Sequence, residues 1–205
     1  MLNLLNILAR QLEAAGSTEA DREAKLLLAN VLGIGTAAIP FYEEELTIEQ
    51  QRLLKEMVSR RITGEPLQYI LGKTEFMSLS LKINNHVLIP RNDTECIVEE
   101  AINLFKRHPL PKIADICTGS GAIAVSLACY LPYAGIWATD ISKDAVRLAH
   151  ENGSVNGVGS RIAFMTGDLF APLSNRSFHL IIANPPYIPR NEITYLQKKC
   201  NGSLK

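Results

Sequence analysis

The sequence has no surplus of charge, since 21 Lys and Arg against 21 Asp and Glu leave its 205 residues with a formal net charge of zero. Without an overall positive field, nucleic acid and anionic membrane are not expected as main partners, although a local basic patch needs no net charge. It has no apolar run of membrane-spanning length. Its opening, Met1-Leu2-Asn3-Leu4-Leu5, lacks the basic start and small-residue cleavage site of a signal peptide, so a soluble cytoplasmic protein is expected. Cys96, Cys117, Cys129 and Cys200 never take Cys-x-x-Cys spacing, which excludes the usual zinc ribbons and gives no disulfide framework. His86, His108, His150 and His179 show neither metal-ligand spacing nor a nucleophile motif, and no metal is expected. What remains is enough chain for one α/β domain and a smaller appendage.

Periodicity divides the chain in three. Residues 1–72 repeat apolar positions at helical spacing, as in Leu5, Leu8 and Leu12, and again in Ala24, Leu27, Leu28 and Val31. Thr18-x-x-Asp21 resembles a capping box and Gly33 a stop, while Thr47-x-x-Gln50 opens a further helix that Gly64 and Pro66 close. Residues 73–90 are predicted to form a linking β-hairpin, with Phe76, Leu79, Leu81 and Ile83 at strand spacing and Asn84-Asn85 as turn residues before Val87-Leu88-Ile89. Residues 91–205 begin with a helix capped within Asn92-Asp93-Thr94 and then alternate strand, glycine loop and helix. Strands are predicted at 112–116, 135–139, 161–165 and 178–183, and helices at 122–131 and 143–152. Such alternation implies a parallel sheet.

Four stretches carry chemistry. Asp115-Ile116-Cys117-Thr118-Gly119-Ser120-Gly121 joins a strand to a helix, and Gly119-Ser120-Gly121-x-x-Ala124 fits the dinucleotide fingerprint with Ala in the third glycine's place. By itself that loop is equally a tight structural turn. Asp140 ends the next strand about 20 residues on, where a carboxylate accepts from ribose hydroxyls or caps the following helix, although Ser142 is available as a cap. Asp168, with Leu169 beside it, suits an adenine amine, but Gly-Asp is also ordinary turn chemistry. NAD and S-adenosylmethionine both fit this much.

Asn184-Pro185-Pro186-Tyr187 after the apolar run Leu180-Ile181-Ile182-Ala183 separates them. An amide oxygen, a carbonyl held between prolines and an aromatic face suit a planar NH2 group, which points to methyl transfer to nitrogen. The Asn184 oxygen and the Pro185 carbonyl would each accept one N–H, and Tyr187 would stack on the target.

With those residues in hand, the chain resembles the protein-(glutamine) methyltransferases that modify the Gly-Gly-Gln glutamine of peptide chain release factors. The likeness runs through residues 24–29, residues 60–72, Val87-Leu88-Ile89-Pro90-Arg91, residues 115–124, Asp140-Ile141-Ser142, Gly167-Asp168-Leu169-Phe170 and the Asn-Pro-Pro-Tyr stretch. The last is shared with DNA methyltransferases acting on adenine and cytosine amino groups. The resemblance implies a Rossmann-like S-adenosylmethionine-dependent core behind an N-terminal helical bundle that engages the release factor. It implies cofactor contacts from Asp115, Cys117, Thr118, Gly119, Ser120, Gly121, Asp140, Asp168, Leu169 and Asn184. Catalytic and substrate contacts would come from Asn184, Pro185, Pro186 and Tyr187.

Cys117 stands where many methyltransferases have the loop's first glycine, a replacement tolerated at negative φ, and Asn92-Asp93 replaces Pro-Glu. The family continues beyond this chain's last residue with further strands. The sheet is therefore expected to be incomplete, with 178–183 an apolar unpaired edge open to a partner or to self-association. Two other readings stand beside glutamine methylation: a catalytically incompetent fragment that binds cofactor or release factor, and an amino methyltransferase of nucleic acid, which the balanced charge disfavours.

Overall fold

A helical bundle, a hairpin and a parallel sheet follow one another in the computed structural model, which describes residues 1–185. They fall into two compact units, Met1–Glu75 with Ser80–Asn85, and Phe76–Leu79 with the chain from His86 onward.

In the first unit, α1 (Leu2–Ala14), α2 (Ala20–Leu32), α3 (Ile48–Ile62) and α4 (Leu67–Leu71) each bury one apolar stripe. Leu5, Leu8 and Leu12 meet Leu27, Leu28, Leu54, Met57, Val58 and Ile70 in a single core. Thr47 and Gln50 form the expected reciprocal cap, with Gln50 N–H donating to Thr47 Oγ1 (3.2 Å) and Thr47 N–H to Gln50 Oε1 (2.9 Å). Gly33 ends α2 in the left-handed conformation. The cap expected from Thr18 does not form. Glu19 is the N-cap, and its own N–H is taken by Ser17 Oγ (3.3 Å), so the turn before α2 satisfies itself locally.

Buried among these helices, the Glu23 carboxylate accepts two bonds from Arg61, from Nη2 (2.8 Å) and Nε (3.0 Å). The fork geometry fixes α2 against α3 while leaving neither charge alone.

The hairpin differs from expectation. Its strands are β1 (Lys73–Phe76) and β2 (Leu79–Lys82), and its turn is Met77-Ser78 rather than Asn84-Asn85, while Val87-Leu88-Ile89 forms no strand. Met77 and Ser78 both take positive φ, 50° and 58°, which the twist of a two-residue hairpin turn demands and which residues with a Cβ resist. The turn is clamped instead of being given glycine: Met77 N–H donates to Glu95 Oε1 (2.6 Å) and the Tyr130 hydroxyl donates to Met77 O (2.8 Å).

The second unit contains α5 (Asn92–Phe105), β3 (Lys112–Ile116), α6 (Ala122–Tyr130), β4 (Gly135–Asp140), α7 (Lys143–Val155), β5 (Ile162–Thr166) and β6 (Leu180–Ala183). All four strands are parallel, in the order β5-β4-β3-β6, so the chain builds outward from β3 on one side and then returns to its other side. The order reverses between β3 and β6, the place where open α/β sheets leave a crevice at their carboxyl ends. Helices α6 and α7 pack on the sheet. Leu173, Phe178 and Trp137 gather with Ala114 and Ile116. Strand β6 is the sheet's edge among the described residues.

Arg91, not Asn92-Asp93-Thr94, is the N-cap of α5, which moves those three into the helix's first turn and buries Thr94. Among the described residues no helix is long and apolar enough to cross a membrane.

Replacing Glu23 by Gln breaks the charged fork and is expected to destabilise the chain by about 2 kcal/mol in urea unfolding. A loss within error would mean that water already screens the pair.

Candidate active site

At the carboxyl ends of β3, β4 and β6 lies a cavity of about 480 Å³, the size of a cofactor site. Cys117, Thr118, Gly119 and Ser120 line it from the loop after β3, Asp140 and Ile141 from the end of β4, Asp168 and Leu169 from the loop after β5, and Asn184 and Pro185 from the end of β6. His86 to Pro90, Thr94, Ala122, Ile123 and Ala145 complete its wall. Of the residues expected at the site, the structure thus brings nine together. Pro186 and Tyr187 lie outside the described residues.

Asp115 and Gly121, also expected at the site, are not on that wall. Asp115 is wholly buried beneath the loop, where Oδ2 accepts from the Thr118 hydroxyl (2.6 Å) and from Ala124 N–H (3.2 Å). Its other oxygen, Oδ1, has no hydrogen-bond partner among the described residues. Burial pushes its carboxyl up to about 7, the neighbouring Asp140 adding to the rise while the two hydrogen bonds oppose it. Gly121 adopts φ 79°, and a Cβ there would sit 2.8 Å from the Cβ of Ala149 on α7. This glycine allows helix and loop to close together.

The loop's shape follows from several anchors. Gly119 N–H donates to Asp140 Oδ2 and Ser142 N–H to Asp140 Oδ1, both at 2.9 Å, so the strand-end acid braces the glycine loop while facing the cavity. Capping of α7 falls to Ser142, whose Oγ accepts from Ala145 N–H (3.2 Å). From α7, buried Asn152 donates through Nδ2 to Ser120 O (2.8 Å). Cys117 has φ 61° rather than the expected negative value, and so stands in the left-handed region without glycine's freedom. On the far wall, Leu169 is also left-handed (φ 42°), its carbonyl held by the Thr139 hydroxyl at 3.1 Å. Pro172 lies so close to Gly167 that a Cβ there would meet its ring at 2.3 Å, which explains the glycine of Gly-Asp.

The cavity wall carries two carboxylates, Asp140 and Asp168, and neither Lys nor Arg among the described residues. The thiol of Cys117 registers that field, raised first by burial and then by Asp140, Asp115 and Asp168. A dinucleotide's diphosphate would meet acid here without a compensating cation. A ligand with hydroxyls, an amine and positive charge meets acceptors.

Sequence reasoning missed two residues. Thr94 Oγ1 accepts from Asn184 Nδ2 at 3.4 Å, a contact spanning 90 residues that no local pattern marks. Asn152 sits at a helical position whose buried side was legible, but its partner was not.

Four parallel strands reversing at β3, a glycine loop at the reversal, an acid after one neighbouring strand and Asn-Pro after the other define a Rossmann-like methyltransferase core. Family models agree, one described as the PrmC N-terminal domain over residues 3–72 and one as the methyltransferase small domain over residues 100–198. Similar curated proteins include the release factor glutamine methyltransferase of Moorella thermoacetica, 43% identical over 178 residues that make up 86% of this chain and 63% of the relative. That of Escherichia coli (strain K12) is 40% identical over 183 residues, 89% of this chain and 65% of the relative. The chain is thus similar to release factor glutamine methyltransferases over most of its own length, and spans 63% of the length of the first of these relatives.

Two outcomes follow from this geometry. Gly119→Ala and Gly121→Ala should each lose on the order of 1 kcal/mol to the left-handed backbone, but Gly121→Ala should lose at least about 1 kcal/mol more because its methyl overlaps Ala149. Equal losses in urea unfolding would mean that α7 yields. For Asp115, the folded carboxyl is raised to about 7 from the usual 3.8. Its proton therefore contributes stability that is full below 3.8 and is lost as pH rises through about 7. Across that window the wild-type chain should lose stability relative to Asp115→Asn by an amount on the order of a few kcal/mol, and parallel melting-temperature profiles for the two proteins would contradict it.

Proposed function

We propose that this protein binds S-adenosylmethionine in the cavity and methylates the side-chain amide nitrogen of the Gly-Gly-Gln glutamine in a peptide chain release factor. The observation that carries this reading is the placement of Asn184 and Pro185 on the wall of a cavity whose charged lining is acidic, in a chain similar to release factor glutamine methyltransferases.

The residues present fit the cofactor. Asp140 would accept from the ribose hydroxyls, Asp168 from the adenine amine with Leu169 against the base, and the loop from Cys117 to Ser120 would leave room for the cofactor's backbone-facing edge. The acidic wall favours a ligand that carries positive charge. When bound, S-adenosylmethionine supplies a methyl group activated by its sulfonium.

The chain's own residues then have to overcome the poor nucleophilicity of an amide nitrogen, whose lone pair is delocalised into its carbonyl. Asn184 Oδ1 and the Pro185 carbonyl each accept one N–H of the target, holding the nitrogen in line and favouring its pyramidal form. Proline suits this position because its fixed φ holds the carbonyl and it brings no competing N–H. Both acceptors are neutral, so the proton released on methylation leaves to water. The N-terminal bundle engages the release factor.

The test is methyl transfer from S-adenosylmethionine to a purified release factor, beside the same factor with its Gly-Gly-Gln glutamine replaced and beside an adenine-containing oligonucleotide. Transfer that requires the glutamine supports the reading, and transfer to the oligonucleotide alone overturns it. Asn184→Ala should lower turnover by about 100-fold or more while leaving S-adenosylhomocysteine affinity within about twofold in a calorimetric titration. Equal losses in both would show that Asn184 serves cofactor binding instead.

A further inference from the structure

We propose that Thr94 is a positioning residue for Asn184: it holds the Asn184 amide in the orientation that presents an acceptor, not a donor, to the target nitrogen. The inference rests on the glutamine-methylation reading above and goes beyond it by naming what sets the polarity of the substrate clamp.

The amide of asparagine is nearly symmetric in shape but opposite in chemistry at its two ends. A half-turn about its terminal torsion would put NH2 where Oδ1 belongs, facing an NH2 group, and two donors would then oppose each other. Proline's carbonyl cannot flip in this way, so the clamp's weak point is Asn184. The structure places Thr94 Oγ1 within 3.4 Å of Asn184 Nδ2, and Thr94 is buried. A hydroxyl accepting from Nδ2 turns the amide's N–H end toward α5 and its oxygen end away from it.

The placement of Thr94 is itself a consequence of where α5 begins. With Arg91 as the N-cap, Thr94 N–H donates to Arg91 O (3.0 Å), and the third helical residue lies on the cavity wall together with Asn184. Helix initiation therefore needs no side chain from Thr94, whose hydroxyl is left for the sheet's edge strand. Its β-branched side chain restricts the rotamers that the hydroxyl can take.

The experiment uses the full chain with Thr94→Val, which keeps the shape and removes the acceptor, and Thr94→Ser, which restores it. Two readouts are taken: kcat and KM on the release factor with S-adenosylhomocysteine affinity alongside, and the side-chain amide NMR signals of Asn184, assigned by their loss in Asn184→Asp. Thr94→Val should lower kcat by about tenfold or more with cofactor affinity unchanged, and should shift the Asn184 amide signals. Thr94→Ser should restore both. Wild-type kcat in Thr94→Val, or Asn184 signals that do not move, would overturn the role. A wild-type chain that methylates no glutamine would refute the functional reading, and the amide signals would still decide whether Thr94 orients Asn184.

Discussion

Everything at the site depends on β3 being hydrogen-bonded in parallel on both sides at once. Ile116, its last residue, is in register with Thr139 on β4 and with Ala183 on β6. In each of the three strands the next residue is therefore one that lines the cavity: Cys117 opening the loop, Asp140 on one flank, Asn184 on the other. Parallel strands end on the same side of a sheet, and a shared register makes them end at the same level. Three segments spread over more than 60 residues of chain thus reach one cavity without any loop having to search for it.

That alignment creates an electrostatic cost that the surrounding structure absorbs. Asp115 and Asp140 lie near each other with the loop between them, and Asp168 adds a third acid to the same field. Burying a carboxylate with one oxygen unpartnered is unfavourable unless it takes up a proton, and Asp115 is raised for that reason. In exchange, one of its oxygens ties Thr118 to Ala124 and so holds the turn from strand to helix together. The left-handed backbone at Cys117 persists because the loop is anchored on every side, by Asp115 below, Asp140 at its tip and Asn152 from α7.

How much of this was legible in the sequence follows from whether the deciding interaction was local. The capping box of α3, the glycine ending α2 and the four parallel strands rest on spacing, and the structure has them. The hairpin turn did not rest on spacing alone. Asn84-Asn85 has the better local chemistry for a turn, but Met77-Ser78 is held by Glu95 and Tyr130 from elsewhere in the chain, and tertiary hydrogen bonds outweigh a preference worth on the order of 1 kcal/mol. The same holds for α5, where three residues with N-cap chemistry lost that position to Arg91. Strand-end residues such as Asp140 and Asn184 were legible because a motif marks them. Thr94 was not, since its partner is 90 residues away.

The two neighbours of β3 divide the work by chemistry. On the β4 side, a carboxylate and the loop's backbone N–H groups form a charged, braced wall suited to a cationic ligand; on the β6 side, Asn184 and Pro185 offer neutral acceptors. Because β3 stands between them as a buried, rigid spacer, a change in side chain on one flank need not move the other. The chemistry of the β6 flank is then set by a few residues at its end and by whatever orients them, while the β4 flank keeps an unaltered frame. The two flanks can thus differ in what they accept without altering the register that brings them to one cavity.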